Sequence, residues 1–199
     1  MTDRTQDSLP DRPGIPGSIF LVGLMGAGKT SVGKLLARRL RKSFYDCDQE
    51  IERATGVKVP VIFEIEGEAG FRARETRMLT ELVHRPDIVL ATGGGAVLSD
   101  ENRKLLSANG VVVYLRATVE DLWSRTRHDR NRPLLRTPDP QATLRQLFDE
   151  RDPLYRSVAD IVIDTGSQGL GNLAQRVEQQ LHRRHAMQTG GEHAPLRTG

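Results

Sequence analysis

Gly23-Leu-Met-Gly-Ala-Gly-Lys-Thr30 fits the pattern G-x-x-x-x-G-K-[ST] in full. Such a segment binds phosphate. Its glycines let successive backbone N–H groups turn inward around phosphate oxygens, and the helix that follows adds the positive end of its dipole. Lys29 would then reach the β- and γ-phosphates, and Thr30 would offer its hydroxyl to Mg2+. Three further segments could do chemistry beside it. Asp46 and Asp48 flank Cys47; one carboxylate can hold Mg2+ through water while the other orients or deprotonates an acceptor hydroxyl. Gly93-Gly94-Gly95 lets a ligand approach backbone N–H groups closely. Six arginines (116, 125, 127, 130, 132 and 136) share a stretch with Pro133 and little apolar periodicity. A mobile loop of that kind can close over a nucleotide, exclude water and set a guanidinium on the transferring phosphoryl.

These segments need a frame that brings them together. Ile19–Gly23, Phe44–Asp46, Ile88–Ala91, Val111–Leu115 and Ile161–Ile163 read as short buried strands. Helical periodicity separates them. Thr30–Leu40 places Val32, Leu35, Leu36 and Leu40 on one face, and Phe71–His84 places Glu75, Met78, Leu79, Leu82 and Val83 at helical spacing. Thr118 with Asp121 marks a helix start, residues 140–151 form another helix, and Leu170, Leu173, Val177 and Leu181 form the stripe of a closing one. Strands alternating with helices mean βαβ units and a parallel sheet covered on both faces, with ligands gathered at the carboxyl ends of its strands. Every candidate segment above directly follows a strand or lies on a connection at that end.

Composition agrees with one globular domain. The chain has 199 residues, and its apolar share of 37% rises to about 47% once the 19 glycines are counted, inside the usual range. Collagen, coiled coil and wholesale disorder are excluded, and no apolar run approaches the ~20 residues that cross a bilayer. Residues 1–17 and 186–199 read as disordered tails around a single domain over 18–185. The N-terminal stretch has no signal-peptide core, and the lone Cys47 forms no internal disulfide, so the expected place is the cytoplasm. A net charge of +3 is too small to argue for nucleic acid. Cys47 should turn toward the core between its two acidic neighbours, which disfavour a thiolate. His182 and His185 have no third ligand and read as surface residues, while Trp123 and Phe148 read as core. There is no N-K-x-D run to read a guanine base and no room for a large effector domain, which leaves a kinase of a small acceptor ahead of a GTPase or motor.

As an ordered set, G-L-M-G-A-G-K-T, F-Y-D-C-D-Q-E-I-E, G-E-A-G-F-R, T-G-G-G-A-V, R-P-L-L and R-D-P-L-Y resemble the shikimate kinase family, over about Ile19–Thr165. The resemblance implies an α/β P-loop fold with a central five-stranded parallel sheet, substrate-binding helices and an Arg-rich lid over about 125–138. It implies transfer of the γ-phosphoryl of ATP to the 3-hydroxyl of shikimate, with one Mg2+, by a monomer. Gly26, Ala27, Gly28, Lys29, Thr30 and Ser31 would wrap the phosphates, with Thr30 on Mg2+ and Asp46 holding it through water. Asp48 would bind the acceptor hydroxyls and act as base. Arg72 and Arg151 would grip the carboxylate, with Gly94 touching substrate. Arg132 would stabilise the transferring phosphoryl and Arg125 would stack on adenine. Where some members place an adenine-touching Arg, this chain has Gly166-Ser167-Gln168, and Gln168 would make that contact. Val57–Ile65 is more apolar than the family's substrate-helix start. A kinase of another small hydroxy acid, such as gluconate, and a non-catalytic nucleotide-binding regulator are the competing readings. The first must explain away two arginines, the second the joint presence of Lys29, Thr30, Asp48 and Arg132.

Overall fold

Runs such as Ile19-Phe-Leu-Val22 are apolar at every position, so they fold only where both faces of a sheet are covered. The computed structural model, which describes residues 15–129, 133–166 and 168–190, shows that arrangement. The strands are β1 (Ser18–Val22), β2 (Ser43–Asp46), β3 (Ile88–Ala91), β4 (Gly110–Arg116) and β5 (Ile161–Asp164). Among the described residues they form one sheet of order β2-β3-β1-β4-β5, with every neighbouring pair parallel. Register aligns Leu21 and Asp46 with Ala91, Val22 with Tyr114, and Arg116 with Asp164. The segments after Val22, Asp46, Ala91 and Asp164 therefore emerge along one edge of the molecule.

Helices cover the sheet. They are α1 (Lys29–Leu40), α2 (Cys47–Thr55), α3 (Val59–Val83), α4 (Asp100–Asn109), α5 (Val119–Thr126), α6 (Pro140–Val158) and α7 (Leu170–Gly190), with 3-10 turns at Ala96–Leu98 and Pro133–Leu135. Helix α1 packs on α7 and on the β1–β3 side, while α4 and α6 pack on β4. Side chains at both parities along β1, β3 and β4 are buried, Phe20, Leu21, Leu90, Val112 and Val113 among them. Thr118 caps α5 by accepting from the Asp121 amide at 3.1 Å, as its spacing predicts.

Helix α3 is sharply bent. At Gly67 the backbone takes φ +70° and ψ −176°, a combination open essentially to glycine alone. Two contacts between residues eight apart measure the bend. The Phe63 and Phe71 rings lie 4.8 Å apart, and Arg74 donates to both carboxylate oxygens of Glu66 at 2.6 and 2.8 Å. On a straight helix such residues stand about 12 Å apart along the axis.

Several boundaries differ from the sequence reading. Helix α3 starts at Val59 rather than Phe71, so Arg72 follows the bend instead of opening the helix. Helix α6 continues through Pro153 to Val158, seven residues past the expected end, because Tyr155 and Val158 are buried and hold its last turns to the body of the protein. Asp46 ends β2 and caps α2 through the Gln49 amide, so Cys47 is buried by a helical turn rather than by strand alternation. Ile15 is already buried, and α7 runs on to Gly190, with Thr189 bonded back to the His185 carbonyl. Of the expected tails, residues 1–14 and 191–199 lie outside the described residues.

Strand β4 can lie beside β1 only because it starts with Gly110. A Cβ there would stand 2.5 Å from the Ser18 carbonyl oxygen and 2.8 Å from the Phe20 ring. Gly110→Ala should cost about 1–3 kcal/mol in urea unfolding, with the cooperative transition retained.

Candidate active site

The phosphate-binding motif forms the turn from β1 into α1. Gly23, Gly26 and Gly28 all have positive φ, and the first two have no room for a side chain: a Cβ would stand 2.6 Å from the Leu115 carbonyl oxygen and 2.7 Å from the Thr126 methyl. The Lys29 side chain is buried and lies along the loop, its Nζ donating to the Gly23 and Leu24 carbonyls at 2.6 and 3.0 Å. Thr30 Oγ1 donates to Asp46 Oδ2 at 2.6 Å. A hydroxyl and a carboxylate thus meet at the helix start, and these two hard oxygen donors, one on each side of the turn, suit Mg2+, which prefers oxygen ligands and keeps several waters.

The glycine triplet after β3 is a meeting point of three segments. A Cβ on Gly93 would lie 2.1 Å from Glu75 Oε1 and 3.0 Å from Asp48 Oδ1; one on Gly94, 3.3 Å from the Met25 amide nitrogen; one on Gly95, 2.1–2.4 Å from the Arg72 guanidinium. The triplet is therefore wedged between α2, the phosphate loop and α3. Its glycines serve close approach, since none of the three has positive φ. Arg72 donates to Glu75 Oε2 at 2.8 Å and to Glu68 Oε1 at 2.8 and 3.2 Å. Glu75 is wholly buried, so the Arg72–Glu75 pair belongs to the interior. Burial pushes the Glu75 carboxyl up while Arg72, Arg151 and Lys29 pull it back.

Arg151 reaches the triplet from α6. Its side chain is 3% exposed, and Nη1 donates to the Gly94 carbonyl at 3.3 Å, while Nε has no hydrogen-bond partner. A buried guanidinium with unmet donor capacity is suited to an anion. On the nucleotide side, Arg125 spans two loops, donating to the Gly26 carbonyl at 3.3 Å, the Gly166 carbonyl at 2.7 Å and Thr165 Oγ1 at 3.4 Å. Gln168 folds onto its own loop, donating to the Asp164 and Thr165 carbonyls at 3.3 and 2.9 Å. Phe148, expected in the core, is half-buried beneath the Arg116 guanidinium, 5.5 Å from ring to charge.

One cavity of about 450 Å³ unites these parts. Thr30, Asp46, Asp48, Arg72, Gly94 and Arg151 all line it, six expected site residues from five separate segments. Phe63, Phe71, Pro133 and Leu134 supply apolar wall, with Lys58 and Glu52 alongside. Gly26, Ala27, Gly28, Lys29 and Ser31 sit next to this cavity on the phosphate loop, and Arg125 and Gln168 near the loop after β5. Arg132 and Ser167 lie outside the described residues. Sequence reasoning missed Glu75 as a site residue. The signal was present, since it is an acid on the stripe of Leu79, Leu82 and Val83, where helical spacing calls for an apolar side chain.

A family model for shikimate kinase matches residues 25–182. The chain belongs to the shikimate kinase family. The shikimate kinase of Nitrosospira multiformis is 61% identical over 165 residues, which cover 83% of this chain and 85% of that one. That of Chromobacterium violaceum is 58% identical over 87% of this chain and 94% of its own. Among solved structures, a shikimate kinase from Acinetobacter baumannii in complex with shikimate superposes with a TM-score of 0.84 at 50% identity, over 85% of this chain and 94% of that one. A gluconokinase from Sinorhizobium meliloti, at 18% identity and a TM-score of 0.61, shares the fold. This family member is thus a P-loop kinase with the five-stranded parallel sheet that the sequence led one to expect.

Two measurements check the environment described. Burial first, then Glu75, Asp48 and Asp46, push the Cys47 thiol well up. A thiol reagent at pH 8 should therefore modify native protein at least about a hundredfold more slowly than urea-unfolded protein, and equal rates would contradict the packing. Asp152 accepts from Arg156, Tyr114 and Arg116 at 2.7–3.1 Å. Burial would raise its carboxyl, yet these donors hold it below the ordinary range. Its contribution is complete above the unfolded-state value of about 4 and is lost as pH falls through the lower folded-state value. Asp152→Asn should accordingly flatten the acid limb of stability against pH, read by urea unfolding across that range.

Proposed function

We propose that this kinase transfers the γ-phosphoryl of ATP to the 3-hydroxyl of shikimate, giving shikimate 3-phosphate and ADP. The observation that carries the reading is the single cavity in which the Thr30–Asp46 end of the phosphate loop faces Asp48, Arg72 and Arg151. A carboxylate acceptor bearing hydroxyls needs a cationic clamp at one end and a proton acceptor at the other, and those residues provide both. The shikimate-bound structure of the Acinetobacter baumannii relative supports the same acceptor.

The backbone from Gly26 to Ser31 and the Lys29 ammonium bind the phosphates. Lys29 leaves the Gly23 and Leu24 carbonyls to do so. Thr30 and Asp46 would hold Mg2+, Asp46 through water, and the ion would supply positive charge to offset that of the triphosphate. Arg72 and Arg151 take the shikimate carboxylate as bidentate forks, and Gly94 contacts the ring. Asp48 accepts the proton of the 3-hydroxyl as its oxygen attacks the γ-phosphorus. The bond from that phosphorus to the β–γ bridging oxygen breaks, leaving ADP. Arg132 stabilises the charge on the transferring group, Arg125 stacks on adenine, and Gln168 bonds its edge. The enzyme is read as a monomer acting in the cytoplasm.

ADP release from Mg-ATP should occur with shikimate and not with gluconate, quinate, a nucleoside monophosphate or no acceptor. Release without acceptor would instead mean an NTPase. Asp48→Asn should keep shikimate binding within a few-fold while lowering kcat by about 10²–10⁴. Wild-type turnover in that variant would remove Asp48 from the role of base.

A further inference from the structure

The R-D-P-L-Y segment contributes more to the site than Arg151. One turn further along α6, Tyr155 is fully buried and its hydroxyl donates to the Gly94 carbonyl, the same oxygen that accepts from Arg151. Residues four apart share a helix face, so one face of α6 grips one peptide of the glycine turn with two donors. The Tyr155 ring is itself held, stacked on Tyr114 of β4 at 4.8 Å between centroids. Tyr114 is anchored in turn through its hydroxyl on Asp152 at 2.8 Å, where Arg116 also donates at 3.1 Å. A chain of fixed contacts therefore runs from the centre of the sheet to the Gly94 carbonyl.

We infer that Tyr155 is a positioning residue for the acceptor site: its hydroxyl sets the orientation of the Gly94–Gly95 peptide, and through it the placement of Arg151 and the glycine turn against the substrate. The geometry explains why one oxygen matters. Among the described residues no peptide is cis, and in a trans peptide the C=O and N–H point in opposite directions. Drawing the Gly94 carbonyl toward α6 turns the Gly95 N–H the other way. Glycine is where such control is needed, because no Cβ restricts the rotation. Without the Tyr155 hydroxyl, the carbonyl keeps only the longer Arg151 contact, and Arg151 is drawn to serve the turn instead of the substrate. Burial disfavours the phenolate, so the hydroxyl remains a donor throughout the working pH range.

This inference rests on the shikimate reading, and the test separates the two. Tyr155→Phe deletes one oxygen and should raise the KM for shikimate about five- to twentyfold, with the KM for ATP and kcat within about threefold of wild type. The comparison is Ser18→Ala, which removes a buried hydroxyl from the opposite end of the sheet, where it bonds the Arg85 carbonyl and the Ile88 amide and touches nothing in the glycine turn. It should lower the melting temperature by a similar few degrees and leave both KM values near wild type. Equal shikimate KM values in the two variants, or parallel shifts for shikimate and ATP, would overturn the inference. Wild-type protein that turns over no shikimate would overturn the underlying reading and this one with it. A measurement on the intact protein needs no variant to fold: by proton NMR the Tyr155 hydroxyl proton should exchange slowly and shift when shikimate is added. Rapid exchange with no response to shikimate would also refute the role.

Discussion

Glu75 occupies a position where water does not reach, with the Arg72 guanidinium on one oxygen, Gly93 against the other and the Asp48 carboxylate close by. Removing a carboxylate from water costs several kcal/mol unless charge and hydrogen bonds replace the lost hydration. Much of the surrounding structure follows from meeting that demand. Arg72 is held at 2.8 Å on one oxygen, and the other presses so close to Gly93 that a methyl group could not be accommodated. Arg151 and Lys29 add positive charge from two further directions. The acid in turn keeps these cations together, since three positive groups converging on one small cavity would otherwise repel each other. Positive charge is thus assembled around one buried acid, whose carboxyl burial still holds above the ordinary range.

The glycine triplet shows how backbone can carry specificity. Each of its residues abuts a different partner: the Glu75–Asp48 pair, the phosphate loop and the Arg72 guanidinium. Positive φ is absent, so conformational freedom is not the reason for glycine there. The reason is clearance. Three segments approach one stretch of main chain, and at Gly93 and Gly95 they come closer than a side chain would allow. The phosphate loop, α2 and α3 consequently share a single turn.

The parts of this arrangement that follow a strand were legible in the sequence. The P-loop, the paired aspartates and the glycine triplet each sit where an apolar run ends, and parallel strands deliver such ends to one edge. Arg72 and Arg151 were legible through their motifs, though not through their helices. Pro153 marks a helix end by local rule, yet α6 runs past it because buried Tyr155 and Val158 reward continuation. Glu75 was hidden by its place on an apolar stripe, where an acid reads as a flaw in the pattern until its partners are seen. Gly67 was hidden for a different cause: it precedes the expected helix start at Phe71, and nothing local announces an unusual backbone angle.

That angle has a geometrical consequence. Phe63 and Lys58 stand before the bend in α3, Phe71 and Arg72 after it, and all four line the same cavity. Part of the cavity wall is therefore one continuous piece of chain folded on itself, like the arms of closed callipers. The fold is made at Gly67 and held by the Glu66–Arg74 pair and by the contact of the two phenyl rings. The course of this wall is thus a property of the main chain, set at one residue that has no side chain of its own.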